Sequence, residues 1–478
     1  MTMTTNMSRN HKNSENRPHR MRRVLPPIIL AVFSAALCSS AAQAQTVSVV
    51  YSFKKSSLSQ RPQFVTPAQG RDGKLNGTTS GSQNGTVFAI SAAGSGGQLF
   101  ALDGTNGSQP FGGVTLATDG NLYGAAEFGG SNGDGVLFQI TASGVYAVLH
   151  DFVGSGDGLF PAAPPIQASD GNLYGTTLYG PGIIGSTVYS YSSSGGFSTL
   201  YTFDAQQGSA ILGPLMQASN GNLYGAFQGG GTNNCGGIFE LTTSGVLLND
   251  FSFPCGKGPG SPNGPLVQAS DGNFYGTTTA GGKKGYGTIF RMNPNGAVTV
   301  FYSFLGGSQD GKIPDGGLVQ ATDGNLYGTT SEGGAHSCGT LYQISTAGVY
   351  KLLYSFAQGT GKLESGGLLQ HTNGLLYGTA FEGGRQNLGS LYSLDLGLGP
   401  FITFVQPTGA VGATAQILGQ GLTGTTSVTF NGVAAAGFNV GSDTFVTAVV
   451  PIGAATGPVV VTTPGGTLTS NVNFRISE

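Results

Sequence analysis

Three carboxylates attract attention first. Glu127, Glu332 and Glu382 recur just before Gly-Gly pairs at comparable places along the chain. Set on one rim, three such groups could hold a cation or serve as general acid and base. The plainer reading is solvated loop acids, since isolated matches of this kind are weak signals. No metal centre is expected: there is no Cys-x-x-Cys and no cluster of histidines. Beyond the N-terminal leader the histidines are His150, His336 and His371, none of them in a nucleophile motif. No Gly-x-Ser-x-Gly elbow stands in a strand-to-helix setting. Ser131-Asn132-Gly133-Asp134-Gly135 reads as a loop rather than a calcium site. No catalytic residue and no cofactor is therefore assigned.

The elements that position these residues are set by a repeat. Asp-Gly-Asn-Leu-Tyr-Gly-Thr-Thr begins at Asp323, and close copies begin at Asp72, Asp119, Asp170, Asn220, Asp271 and Asn373, at intervals of 47 to 52 residues. A period of that size marks an array of identical supersecondary units. Within one unit, Gly317–Ala321 is a short apolar strand and Asp323-Gly324 a two-residue hairpin turn. Asn325–Thr330 is a second strand, Gly339–Ile344 a third and Val349–Phe356 a fourth. Four antiparallel strands per unit is the make-up of a propeller blade.

Third strands recur seven times after the first motif, but fourth strands only six times, because the final repeat stops at Leu394. Thr46–Phe53 matches the Leu353-Tyr354-Ser355-Phe356 ending of a fourth strand. The expectation is an all-β fold: a seven-bladed β-propeller in which the N-terminal strand completes the last blade and leaves no open edge. The Gly after each recurrent Tyr is expected to let an adjacent sheet approach closely, and the Tyr to pack between blades with a partner for its hydroxyl. In such a unit Cys235 and Cys255 emerge on the same face, so a disulfide between them is feasible and suits an oxidising compartment. Cys338, in the loop position equivalent to Cys235, is expected to stay free.

Arg20, Arg22 and Arg23 precede the apolar run Val24–Leu37, and small residues end at Ala42-Gln43-Ala44. That order is a secretory signal peptide with cleavage between Ala44 and Gln45. Residues 1–44 hold six basic residues and one acid, so the remaining 14 basic and 21 acidic groups give a net charge of −7. A sparsely charged, mildly acidic body argues against nucleic acid as a partner. No later segment is apolar for the ~20 residues a spanning helix needs.

After Gly399 the period is lost, and short strands separated by turns suggest a small β-sandwich. The domains expected are a leader over 1–44, a propeller over 45–398 and a sandwich over 399–478.

The motif, the Gly-Gly loops and the Gly-Thr-Leu-Tyr strand resemble the GloVer-type extracellular tandem-repeat family over roughly residues 46–398. That resemblance implies an exported bacterial protein and no known reaction. Pro407-Thr408-Gly409, Gly419-Gln420-Gly421-Leu422, Val428–Gly432 and Val450-Pro451 resemble the IPT/TIG immunoglobulin-like domain, whose bacterial members are spacers or adhesive units. Two functions remain open. One is an exported, non-enzymatic binding or cell-surface structural protein with an extracellular ligand, glycan or protein. The other is a carbohydrate-binding or carbohydrate-active propeller, with Tyr replacing the absent Trp as a stacking surface. In either case the ligand is expected on the face carrying the Gly-Gly loops and the connections between units, where the repeats differ most.

Overall fold

Each copy of the repeated motif folds as a hairpin whose polar residues lock its turn. In the sixth unit Val319–Gln320 pairs with Leu326–Thr330, and the amide of Ala321 donates to the carbonyl of Asn325. Three residues, 322–324, therefore make the connection, not the two expected. A type I turn followed by one left-handed residue needs positive φ only at Gly324, whose φ is 81°. Asp323 Oδ1 accepts from the amide of Asn325, while Oδ2 accepts from Asn325 Nδ2 at 2.8 Å and from the Tyr327 hydroxyl at 2.6 Å. Asp119–Tyr123, Asp170–Tyr174 and Asp271–Tyr275 repeat this contact. The recurrent Tyr thus has the hydroxyl partner expected of it, supplied by its own turn.

The structure is a computed structural model that describes residues 46–477, apart from 56–58, 82–83, 184, 205 and 363–365. The expected leader and its cleavage point at Ala44 and Gln45 lie outside the described residues. The fold is all-β and propeller-like, and its only helical element among the described residues is a three-residue 3-10 turn at Pro181–Ile183. The sixth unit continues with Thr340–Ile344 and Tyr350–Ser355, and its strand order is that of the sequence. Six further sheets of this kind are built on the other copies of the motif, one of them extended by Pro259–Pro262.

The Gly of each motif has a different job from the one expected. Gly276 lies directly across from Phe290 on the next strand of its own sheet, and a Cβ there would stand 2.5 Å from that ring. Gly124 and Phe138, Gly225 and Phe239, and Gly328 and Tyr342 repeat the pairing. Each glycine makes room for an aromatic ring of its cross-strand partner, which covers the bare backbone. Neighbouring sheets approach through other residues. The next position but one is a hydroxyl pair: Thr330 and Thr340 Oγ1 lie 2.8 Å apart, as do Thr278 and Thr288.

The seventh unit supplies only Leu369–Gln370, Leu376–Ala380 and Ser390–Asp395. Its fourth strand is Thr46–Ser52, antiparallel to Ser390–Asp395 from Thr46 opposite Asp395 to Ser52 opposite Ser390, with a bulge between Val49 and Tyr51. The junctions between units share one hydrogen bond. Thr118 donates its amide to Gln167 Oε1, Ser169 to Gln217, Ser219 to Gln268, Ser270 to Gln320 and Thr322 to Gln370, at 2.8–2.9 Å. Thr372 then donates to Gln69 at 3.0 Å, so the seventh unit treats the first as its successor. Thr379 Oγ1 donates to the carbonyl of Val65, just as Thr277 and Thr329 donate to the carbonyls of Gly316 and Gly366 in the units after theirs.

The junction of the first and second units lacks this bond, because Leu116 stands where the others carry Gln. Residues from the C-terminal sheets take over. Arg71 Nη2 donates at 2.6 Å both to the carbonyl of Thr118 and to Gln416 Oε1, and its guanidinium lies 4.7 Å over the Phe445 ring. Gln416 Nε2 donates to that same carbonyl, Gln406 to the carbonyl of Ala168, Arg475 to that of Ala218 and Phe401 to that of Thr372. The C-terminal chain forms two four-stranded sheets and a parallel pair, Thr408–Ala410 with Arg475–Ser477. Ile417, Phe430, Val446, Val459 and Phe474 fill the space between the sheets. Gly437–Ser442 and Gly466–Thr469 are strands that the sequence pattern did not show. Only two residues of the first are apolar, and the glycines of both mask a strand period.

Two substitutions test this account. Gly276→Ala should cost about 1–3 kcal/mol by overpacking against Phe290, whereas Gly156→Ala, with nothing within 4 Å, should stay within about 0.5 kcal/mol of wild type; urea unfolding measures both. Arg71→Ala should cost about 2–4 kcal/mol through its charged hydrogen bonds and ring contact and should speed protease cleavage around residues 396–400.

Candidate functional site

The connections between units converge on one cavity. Each of six connections holds a residue at positive φ: Arg61, Gln109, Phe160, Ala210, Ser261 and Ile313, all between 53° and 60°. The carbonyls of Gln109, Phe160, Ala210 and Ile313 accept amide bonds from Glu127, Leu178, Gln228 and Ser331 at the ends of second strands. The backbone is thus fixed, and the second residue after each left-handed turn is aimed at a common space. Those residues are Gln63, Phe111, Ala162, Leu212, Asn263 and Asp315, and all six line a cavity of about 200 Å³. Phe64, Thr66, Pro214, Pro265 and Gly367 complete much of the wall, so every one of the seven units contributes.

The C-terminal sheets lie beyond one end of the cavity. A second space of about 400 Å³ shares Thr66, Pro214 and Pro265 with the first and is lined by Thr403, Phe404, Val405, Leu418 and Asn471 of the C-terminal sheets. The C-terminal sheets therefore stand over the hairpin-turn side, and the inter-unit connections surround the other.

Of the three carboxylates singled out from the sequence, one reaches this cavity. Glu127 lines it. Glu332 is paired with Lys312 across a short two-stranded ladder, and Glu382 with Lys362 at 3.0 Å. The three do not form one cluster, for a reason of register. Phe128 bridges Ser108 as Glu332 bridges Lys312 and Glu382 bridges Lys362. Glu127 is one residue earlier and so corresponds to Ser331. A one-residue offset along an extended strand sends a side chain to the opposite side. The two outer ion pairs are half-exposed, where water screens them and they add little to stability.

Asp315 is the acidic wall residue that the spacing did not reveal. It precedes a Gly-Gly pair, as Phe111 does, but the repeat carries a different residue at this place in every unit. That variation is the one sequence signal that could have found it. Burial pushes the Asp315 carboxyl up to about 6, against the hydrogen bonds it accepts from Ser331 and from Asn263 at 3.4 Å. Burial alone pushes Glu127 up to about 7. Among the described residues no Lys, Arg or His lines the cavity.

The other residues considered lie apart from it. Cys235 and Cys255 are joined in a disulfide with Cα atoms 5.5 Å apart, and Cys338 is a free thiol. His150 stacks on Phe197 and contacts Asp157 at 2.7 Å, while His336 is exposed. His371 is buried between units, donating from Nε2 to the carbonyl of Gly73 and accepting the Asn373 amide at Nδ1. Burial lowers its pKa, which suits this neutral form. Among the described residues no group of three or more His, Cys, Asp and Glu could hold a metal ion, and no helix is long and apolar enough to cross a membrane.

The sign of the pH effect follows from the raised carboxyls. The folded protein keeps protons that the unfolded chain releases near 3.8 and 4.5, so these groups favour folding at low pH and lose that contribution as pH climbs to about 7. The melting temperature of Glu127→Gln/Asp315→Asn should exceed that of wild type at about pH 8 and match it at about pH 4. Comparing the two proteins cancels His371, which acts in the opposite sense by disfavouring the fold as it charges below its ordinary 6.5. A difference independent of pH would contradict the assignment.

No curated protein matches this sequence. Among solved structures, two extracellular domains of putative hybrid two-component systems from B. thetaiotaomicron are similar in fold. For the first, BT4673, the TM-score is 0.51 at 13% identity, covering 73% of this chain and 39% of that one. For the second, BT3049, it is 0.50 at 12% identity, covering 90% and 57%. This chain thus spans less than two thirds of either neighbour. A family model described as the Gloeobacter/Verrucomicrobia repeat matches residues 61–258 and 214–446. Together the two matches cover most of the repeats: this chain belongs to the Gloeobacter/Verrucomicrobia repeat family.

Proposed function

We propose that this chain is an exported, non-enzymatic binding protein that holds a small ligand in the cavity shared by its seven units. In this reading residues 45–398 are a closed seven-bladed propeller. Residues 399–478 are an immunoglobulin-like module of the IPT/TIG kind, acting as a fixed lid on one face and not as a free spacer. The strand Thr46–Ser52 beside Ser390–Asp395 and the Thr372–Gln69 bond support closure. Export rests on the leader sequence and on the Cys235–Cys255 disulfide, which suits an oxidising compartment. The extracellular origin of the two structural neighbours agrees with it.

One observation carries the functional reading. The backbone around the cavity is repeated, with a left-handed residue in each of six connections and the same amide bond in four of them, yet Gln63, Phe111, Ala162, Leu212, Asn263 and Asp315 differ at one equivalent place. Variable side chains on a repeated, rigid scaffold are how a recognition surface is built. Packing alone would reuse one residue, as the Tyr and the cross-strand aromatic are reused.

The absence of Trp gives a direct assay. Phe111→Trp places a single reporter in the wall, and Val349→Trp, at an outer position that is 69% exposed, is the control. A small-molecule screen should yield ligands that shift the first emission and not the second, and Ala162→Phe should abolish their binding. Ligands that bind without moving the reporter, or that survive Ala162→Phe, would contradict the site.

A carbohydrate-active reading draws on the same two carboxyls, since groups raised to about 7 and about 6 are suited to proton transfer. Release of reducing ends from a polysaccharide panel, lost in Glu127→Gln, would favour it over simple binding.

A further inference from the structure

We infer that the ligand of the cavity is a small organic cation: an ammonium group carried on an apolar body. The inference rests on reading the cavity as a binding site, and it follows from how the wall is divided. Phe64, Phe111, Ala162, Leu212, Pro214 and Pro265 present an apolar surface. Gln63, Asn263 and Asp315 present polar groups, and Glu127 adds a second acid. A ligand with one apolar part and one polar part matches this wall, and a fully hydroxylated one leaves the apolar part unused.

The charge balance sets the sign of the polar part. Among the described residues no basic side chain lines the cavity. Among the described residues, no side chain or backbone group hydrogen-bonds the Glu127 carboxyl, and no charged group acts on it. Asp315 is held only by neutral donors, Asn263 and Ser331, and the one charge acting on it is that of Glu332, which is itself tied to Lys312. The two acids singled out with Glu127 that lie outside the cavity, Glu332 and Glu382, each have a lysine, while the buried Glu240 has the amides of Asn220, Asn222 and Asn249, donors that Glu127 lacks. Two half-buried carboxylates without a counter-ion pay for ionisation unless a cation enters with them. An anion would meet like charge and no donor fork. A metal ion would lack ligands, since among the described residues no third acid, His or Cys joins either group. An ammonium needs fewer partners, and Phe64 and Phe111 can stack against its apolar body or its charge.

Both carboxyls must ionise to hold a cation, so affinity should rise with pH across the range in which they titrate, about 6 to about 7. Benzylammonium, benzyl alcohol, benzoate and calcium ion serve as probes, titrated by calorimetry into the mature full-length chain. Benzylammonium should bind saturably at about pH 8, roughly tenfold more weakly at about pH 5, and better than the other three. Glu127→Gln and Asp315→Asn should each weaken it about tenfold and flatten the pH profile. The wild-type profile stands by itself should either variant prove unstable. Preferential binding of benzyl alcohol or benzoate that shifts the Phe111→Trp emission would overturn the cation inference and leave the site standing. Calcium binding that excludes benzylammonium would overturn it in favour of a metal. Failure of benzylammonium to bind at about pH 8 would also overturn it, while the reporter screen decides separately whether the cavity binds anything.

Discussion

An unpaired strand edge is a row of open amides and carbonyls, and a repeat array has such an edge at each end. Here the last repeat supplies three strands, and its edge, Ser390–Asp395, is covered by Thr46–Ser52 from the opposite end of the sequence. Much else depends on that pairing. It places the first unit beside the seventh, where Thr372 reaches Gln69, Thr379 reaches Val65 and His371 reaches Gly73. It brings the inter-unit connections of both ends to the same cavity. A wall drawn from seven units, six of them giving a different residue at one place, requires that the two ends meet.

The glutamine bonds and the C-terminal sheets extend the same logic. Six junctions share a bond from the turn of one unit to the Gln of the next. At the junction without that Gln, Arg71 and Gln416 supply a substitute that also fastens the C-terminal sheets. The fastening uses backbone carbonyls of Thr118, Ala168, Ala218 and Thr372, which lie at two adjacent places beside the turns of four units. Because the units repeat, a small sheet pair can grip several with scattered polar side chains. The consequence is an asymmetric surround: the C-terminal sheets on the turn side of the units and the connections on the other.

The sequence made the strand pattern legible because turn chemistry and aromatic spacing recur in register. Asp-Gly-Asn-Leu-Tyr-Gly-Thr-Thr contains its own turn, its hydroxyl partner and its cross-strand gap. What the motif's glycine was for could not be read without the register, since the aromatic ring it accommodates is about fourteen residues away in the sequence and directly opposite in the sheet. The acids were harder. Glu127, Glu332 and Glu382 look equivalent beside their Gly-Gly pairs, but Phe128 shifts the first by one place, and alternation along the strand converts that into opposite sides. Asp315 was invisible because a binding wall is made of differences, and a search for repetition passes over them. The seating of the C-terminal sheets was equally hidden. Gln406, Gln416 and Arg475 follow no period, and only the exceptional Arg71 and Leu116 mark where they act.

The central claim is that the first described strand is the missing fourth strand of the last repeat. Ser48 and Ser393 are direct partners in that ladder, at a separation that antiparallel strands hold within disulfide reach. In a Cys338→Ser background, Ser48→Cys with Ser393→Cys should form a cross-link in the folded protein on mild oxidation, found as one linked peptide pair by mass spectrometry, with unfolding shifted to higher urea. Free thiols at both positions in a protein that is otherwise folded, or Ser48→Cys joined between two chains instead, would show that these strands are not neighbours and would contradict the account.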